Sequence, residues 1–451
     1  MSDPNADRAG PDPVELLRSR PYLGLVVFGA IVGVLVAVVA YFFLKVVGEA
    51  QHYIFTTLPG ELGYDGEPLW WPAPWLTLSG LLVAAAIRYL PGTAGHKPAE
   101  GFKTGGPVSP IDLPGIIIAA FATLSLGVVL GPEAPLIAIG SGLGVLALHL
   151  LRKDAPAQAS AVLGAAGSFA AISTLLGSPL TGAFLLLEAA GLGGPLLGVV
   201  LVPGLLAAGI GALIFVGLDS WTGFGTFSLA IPNIPHFGSP TGAEFLWALA
   251  IGVAGAVLGG GVRRLALLLQ SIVERRMLLL MPLVGLAIGG LAIAFQEWSS
   301  HPSSEVLFSG QDALPGLIEG AAGWTVGSLI LLVACKGLAY SLSLSSFRGG
   351  PVFPGMFIGA AGGLALSHLP GLPEIAGVAM GIGAMTVAML NLPFTSVLLV
   401  SIFLQADAVA LMPLVIVAVV VSYVASAHMA PRTQGAASGG SSPSQAAPAR
   451  V

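Results

Sequence analysis

The sequence predicts an all-α integral membrane protein made of many tilted or broken helices, and three observations predict it. Of 451 residues, 55% are hydrophobic and 9% are charged, with a mean hydropathy of +0.92; a soluble domain typically carries about 25% charged residues. Apolar runs of roughly 18 residues or more recur, the length a helix needs to cross a bilayer, whereas a transmembrane barrel shows short alternating segments. Glycine (63) and proline (34) are both abundant. Backbone released by such breakers must find partners inside the protein or along a wet cavity, and broken helices near the midplane are a common transporter construction.

The same inventory excludes other classes. A single cysteine, Cys335, allows no intrachain disulfide and reads as a small apolar filler. The net charge of −5 and the absence of a basic run argue against nucleic acid. His149, His368 and His428 stand alone near helix ends, and no HExxH-type pair occurs, so neither a metal site nor a cofactor is expected.

Taken in order, residues 1–20 form a polar, disordered tail. Tyr22–Leu44 is too long for a signal-peptide core and has no convincing cleavage site, so it reads as a retained helix. Apolar runs cut by glycine, proline or charged loops then place helices at 22–48, 73–90, 112–130, 133–151, 157–172, 175–190, 195–217, 242–270, 278–297, 313–320, 324–343, 353–368, 373–389, 393–405 and 409–428. Residues 431–451 are a low-complexity, disordered tail. The transmembrane domain is therefore 21–430, with no soluble domain appended. Arg18 and Arg20 before the first span, Arg152 and Lys153 in one loop, and Arg263, Arg264, Arg275 and Arg276 bracketing another mark the cytoplasmic side, the N-terminus included. The acidic segments 49–72 and 219–244 lack Lys and Arg and fit the outside of a cell membrane.

The chain repeats weakly. GPEAP at 131–135 resembles GPVFP at 350–354, and GSPLTGAFLLLE at 177–188 resembles NLPFTSVLLVSI at 391–402. The two offsets are both close to about 215 residues, as two similar halves require; the halves are 73–217 and 242–428. Proline after glycine, followed by an acidic residue, is a helix-start signal. The first amides of such a helix have no intrahelical partner and carry positive partial charge. Near the bilayer centre that end becomes a site for a small anion, and a site made of partial charges binds weakly enough to release it. Glu133 begins the 133–151 helix among apolar residues. Ionised, its carboxylate would occupy the anion's place; protonated, it would lose that attraction and swing away. The bland reading is a first-turn carboxylate at a wet interface.

These boxes resemble those of the CLC chloride channels and proton-coupled chloride transporters. GPEAP resembles the family's G-[KR]-E-G-P, GPVFP its G-x-F-x-P, and SPLTGAFLLLE the segment after the first box. FRGGPVFPGMFIGAAGG and MGIGAMTVAMLNLPFTSVLLV resemble its second-half pattern, so the likeness runs from about 22 to 428. It implies two inverted-topology repeats, a homodimer with one pore per subunit, Glu133 as external gate, and anion contacts from the amides of Val352 and Phe353 and, further out, of Glu133 and Ala134. Several positions depart from the pattern. Gly95, in AGHKP, stands where the family places an anion-contacting serine, beside His96 and Lys97. Ala189 stands where proton-coupled members place an internal glutamate, next to Glu188. Tyr423 falls too early to match the family's C-terminal tyrosine. Gly95, His96, Lys97, Glu188 and Arg348 are candidates for the pore mouth or a proton path, each with a structural alternative: a solvated loop for Lys97, a buried carboxylate pairing for Glu188, snorkelling for Arg348 and likewise for Lys336.

The reading is passage of small inorganic anions, chloride foremost, through a pore closed by Glu133. Its submodels are a passive channel and a proton-coupled exchanger of chloride or fluoride, with protons as a second partner. A secondary transporter of another solute, and an intramembrane enzyme built on Ser141 of IGSGLG or on a glutamate, are the rivals. No catalytic residue is assigned, since small residues such as Ser141 suit helix contacts.

Overall fold

Caps and breakers divide the apolar chain where the sequence says they should. The structure, a computed structural model, describes residues 17–102, 106–191, 196–223, 237–405 and 408–430; most of the N-terminal tail and all of the C-terminal one lie outside the described residues. The principal helices, in chain order, are α1 (Arg20–His52), α2 (Pro72–Tyr89), α3 (Leu113–Ser125), α4 (Glu133–Leu151), α5 (Ala157–Leu176), α6 (Pro179–Ala190), α7 (Leu196–Thr222), α8 (Gly242–Val273), α9 (Met277–Ser299), α10 (Leu314–Glu319), α11 (Val326–Ser346), α12 (Val352–Ser367), α13 (Glu374–Leu390), α14 (Pro393–Leu404) and α15 (Ala408–Met429). Each answers to one span expected from sequence. Among the described residues, seven helical stretches are long and apolar enough to cross a membrane, and α3, α6, α12, α13 and α14 are shorter apolar helices.

Side-chain caps explain several starts. Ser19 accepts from the Tyr22 amide at the head of α1, and Ser178 from the Thr181 amide at the head of α6. Thr241 with Glu244, and Thr325 with Ser328, form capping boxes on α8 and α11. Two expected boundaries move. The 112–130 span ends at Ser125, because Gly127 takes a left-handed φ of 96° and residues 126–131 leave the helix for a polar support described below. The 157–172 and 175–190 spans meet instead at Gly177, whose φ of 61° ends α5. Asn391 ends α13 in the same way, with φ 57°. Arg263 and Arg264 sit within α8, inside the expected 242–270 span, and Arg264 Nη2 donates to the Met429 carbonyl at the C-terminus of α15.

Glycine contacts display the repeat. A Cβ on Gly140 or Gly144 of α4 would run into the backbone of Gly167 or Leu163 on α5. A Cβ on Gly359 or Gly363 of α12 would run into the carbonyls of Gly381 and Gly377 on α13. Both pairs of helices thus cross with backbones touching, the close approach that small residues allow in a membrane. Corresponding glycines lie about 215 residues apart, the spacing of the sequence boxes. These crossings hold the N-termini of α4 and α12 rigidly, and the two ends meet: Gly131 and Gly350 exchange both backbone hydrogen bonds, at 2.8 and 2.6 Å.

Candidate functional site

The site grows from the two glycine-proline boxes. Pro132 and Pro351 stand at the N-cap positions of α4 and α12, and neither helix start has a side-chain cap of its own. Their first amides are therefore left for something else. On α12 that something is Glu133 of α4: its Oε1 accepts from the Phe353 amide at 3.0 Å. The amides of Val352 and of Glu133 itself also face the carboxylate. Glu133 is 0% exposed, and its Oε2 has no hydrogen-bond partner. Leaving one buried carboxylate oxygen bare is costly, so the side chain is held by helix-end amides and by steric confinement. The confinement is close: a Cβ on either Gly131 or Gly350 would overlap the carboxylate. The two boxes thus lie face to face with Glu133 between them, on the seat the resemblance gives to an anion. Ala134 lies beside it and lines a large cavity.

Polar side chains of α11 support the seat. Ser343 Oγ accepts from the Val129 amide at 3.2 Å, steadying the extended segment before Gly131. Tyr340 is fully buried and donates to the Pro351 carbonyl at 2.6 Å. Sequence reading missed Tyr340; the signal was an aromatic hydroxyl opening the serine-rich run YSLSLSS. Lys336 was also misjudged. It does not snorkel: it is 0% exposed, and its Nζ donates to the carbonyls of Glu305 (2.8 Å), Leu307 (2.9 Å) and Val306 (3.2 Å) while lying 4.4 Å from the Phe357 ring centre. A charge that deep requires such partners, and the carbonyls come from a segment whose Phe308 amide bonds Gly127. Lys336 therefore ties the 303–308 segment to the stretch leading into Glu133.

Beside the seat opens a cavity of about 810 Å³. Ala134, Gly349, Arg348, Gly95, His96 and Ala189 are among the residues that line it. Gly95 takes φ 94°. His96 Nε2 is engaged by the Gly101 carbonyl at 2.9 Å. Lys97 turns away to pair with Glu274 at 2.6 Å, in a neighbouring cavity of about 260 Å³. Glu188 is not on the cavity wall. Its two oxygens take the Phe394 amide (2.9 Å), the Thr395 amide (2.7 Å) and the Thr395 hydroxyl (2.6 Å), so it caps α14 from α6. Tyr423 lies on α15, half-exposed and away from the cavity. Ser141 lines the cavity but accepts from the Val108 amide, with no base among its hydrogen-bond partners. Among the described residues no group of three or more His, Cys, Asp or Glu is arranged to hold a metal.

Comparison with known proteins agrees with this geometry. A profile of the voltage gated chloride channel family matches residues 79–427. The putative ion-transport protein YfeO of Escherichia coli strain SMS-3-5 is 30% identical over 366 residues, covering 79% of this chain and 82% of the relative. The protein of that name from strain UTI89 is 31% identical with the same coverage. Among solved structures, a slow cyanobacterial Cl−/H+ antiporter superposes with TM-score 0.72 at 19% identity, over 89% of this chain and 94% of that one. A CLC-type fluoride/proton antiporter superposes with TM-score 0.66 at 18% identity, over 89% and 95%. Both structural likenesses concern the fold. With the profile and the relatives beside the paired helix ends, the conclusion is that this multi-pass membrane protein belongs to the voltage gated chloride channel (CLC) family.

Proposed function

We propose that the protein passes small inorganic anions, chloride foremost, across the cell membrane, through a path crossing the facing N-termini of α4 and α12, with Glu133 as the gate. One observation carries this: the Glu133 carboxylate takes the Phe353 amide across the junction while its second oxygen stays bare. An anion and this carboxylate compete for the same helix-end amides, so one opens the path only when the other leaves. The amides of Val352 and Phe353 serve the central position, and those of Glu133 and Ala134 the outer one. Gly95, His96 and Arg348 belong to the inner mouth. Lys97 and Glu188 take structural partners instead, Glu274 and the α14 start.

Proton-coupled exchange is the second reading, favoured by the bare oxygen of Glu133, which is free to take a proton, and by antiport in both structural neighbours named above. Ala189 removes the inner carboxylate that such members use. The exposed apolar side chains of Leu180, Leu213, Phe394 and Val409, on α6, α7, α14 and α15, suit a homodimer contact, with the N-terminus cytoplasmic.

The test is anion efflux from liposomes holding the purified protein, with pH recorded at the same time and chloride, fluoride and nitrate compared. Flux in the wild type and altered flux in Glu133→Gln are expected. Proton movement that vanishes in the variant would mark the exchanger. No flux of any of the three anions would overturn the proposal.

A further inference from the structure

We infer that Tyr340 and Ser343 of α11 are positioning residues that set which anions the path admits: together they fix the gap between the two facing helix starts, and the backbone amides in that gap discriminate by size. The inference rests on the anion-passing reading above and deepens it.

Three features carry it. First, the seat is backbone. Pro132 and Pro351 are N-cap residues and neither start has a side-chain cap, so the first amides of α4 and α12 point wherever the surrounding chain is held. Second, one face of α11 holds both starts. Tyr340 is fully buried, and its hydroxyl donates at 2.6 Å to the carbonyl of Pro351, where α12 begins. Ser343, also fully buried, accepts at 3.2 Å from the amide of Val129, in the segment that leads into Glu133. It donates its own proton to the Ala339 carbonyl at 2.8 Å, so its hydroxyl is fixed in direction. Residues three apart on a helix are neighbours on one face, about 5–6 Å between Cβ atoms. A single rigid helix therefore measures one box against the other. Third, the same face reaches α12 again one turn earlier: Lys336, four residues before Tyr340, lies 4.4 Å from the ring centre of Phe357.

The Gly131–Gly350 bridge joins the two starts at one point. Alone, it would let each start pivot about that point. Tyr340 holds one side of the bridge and Ser343 the other, and the pivot is removed. A gap that cannot adjust keeps good hydrogen-bond geometry only for an ion whose size matches it, whereas a gap that adjusts serves several ions alike. A neutral hydrogen bond contributes enough to change a ratio of affinities by about 2- to 10-fold.

Calorimetric titration of the purified full chain in detergent with chloride, fluoride and nitrate tests the inference, in a Glu133→Ala background where no carboxylate competes for the amides. The readout is the ratio of dissociation constants between anions, which a smaller folded fraction does not move. Tyr340→Phe keeps the ring and removes the hydroxyl, and should bring the nitrate-to-chloride or the fluoride-to-chloride ratio closer to 1 by about 2- to 10-fold. Ser343→Ala should shift the same ratio in the same direction; should it fail to fold, Tyr340→Phe carries the test alone. Unchanged ratios in either folded variant, with or without uniformly weaker binding, would overturn the inference and leave the hydroxyls a structural role only. So would a Glu133→Ala protein that binds the three anions equally or not at all, even where liposomes holding the wild type pass them. A shifted ratio in a protein whose wild type passes no anion would leave the two residues in this role and sink the transport reading instead.

Discussion

Adding one methyl group at Gly350 tests whether Glu133 holds its seat as described. Gly350 has no positive φ, so alanine strains nothing in the backbone. A Cβ there would fall onto Glu133 Oε2, 2.7 Å from the carboxyl carbon and 3.1 Å from the Ala134 amide nitrogen. Neighbouring backbone is pinned by the Gly131–Gly350 bridge and cannot yield, so the carboxylate is the group that moves. Its departure breaks the hydrogen bond from the Phe353 amide. Such a bond to a charged acceptor contributes about 1.5–3 kcal/mol, which shifts the balance between seated and displaced gate by roughly 10- to 150-fold. Gly350→Ala should therefore reproduce the flux phenotype of Glu133→Ala. The assay is a double-mutant cycle on chloride efflux from liposomes. In a Glu133→Ala background the methyl meets no carboxylate, and its effect should largely disappear, leaving a coupling of at least about 1.5 kcal/mol. Additive effects would refute the reasoning, because they would mean that the methyl acts by distorting the bridge and not by evicting the side chain.

Two further substitutions probe the supports. Lys336→Met strips three buried carbonyls of their donor; even after the relief of removing a buried charge, the loss should be about 2–4 kcal/mol, seen as a lower unfolding temperature in detergent and faster hydrogen exchange across 303–308, with unchanged exchange there refuting the tie. Glu188→Gln keeps one acceptor oxygen for the α14 start and should cost about 1–2 kcal/mol while leaving the pH dependence of anion flux as in wild type; an altered pH dependence at full stability would move Glu188 to the proton path.

Much of this architecture was legible one residue at a time. All fifteen expected spans correspond to helices because apolar runs, prolines and glycines act locally, and a chain in lipid has few ways to satisfy its backbone. The boxes at 131–135 and 350–354 could be paired from their spacing alone. Helix ends were less legible: α3 stops at Ser125, after which the chain bonds Phe308 and Ser343 far along the sequence, and α5 stops at the left-handed Gly177.

Charged side chains divide along the same line. Sequence alone determined that Glu133 opens a helix within apolar surroundings, because capping and dipole physics are local. Only the tertiary structure decided what each buried charge meets. Glu133 meets an amide 220 residues away, Glu188 an α14 start 207 residues away, and Lys336 a row of carbonyls 29–31 residues before it. Arg348 meets two carbonyls and open space. Partners so far off in sequence leave no local pattern, since desolvation and charge pairing depend on where the folded backbone brings donors and acceptors, not on which residues adjoin.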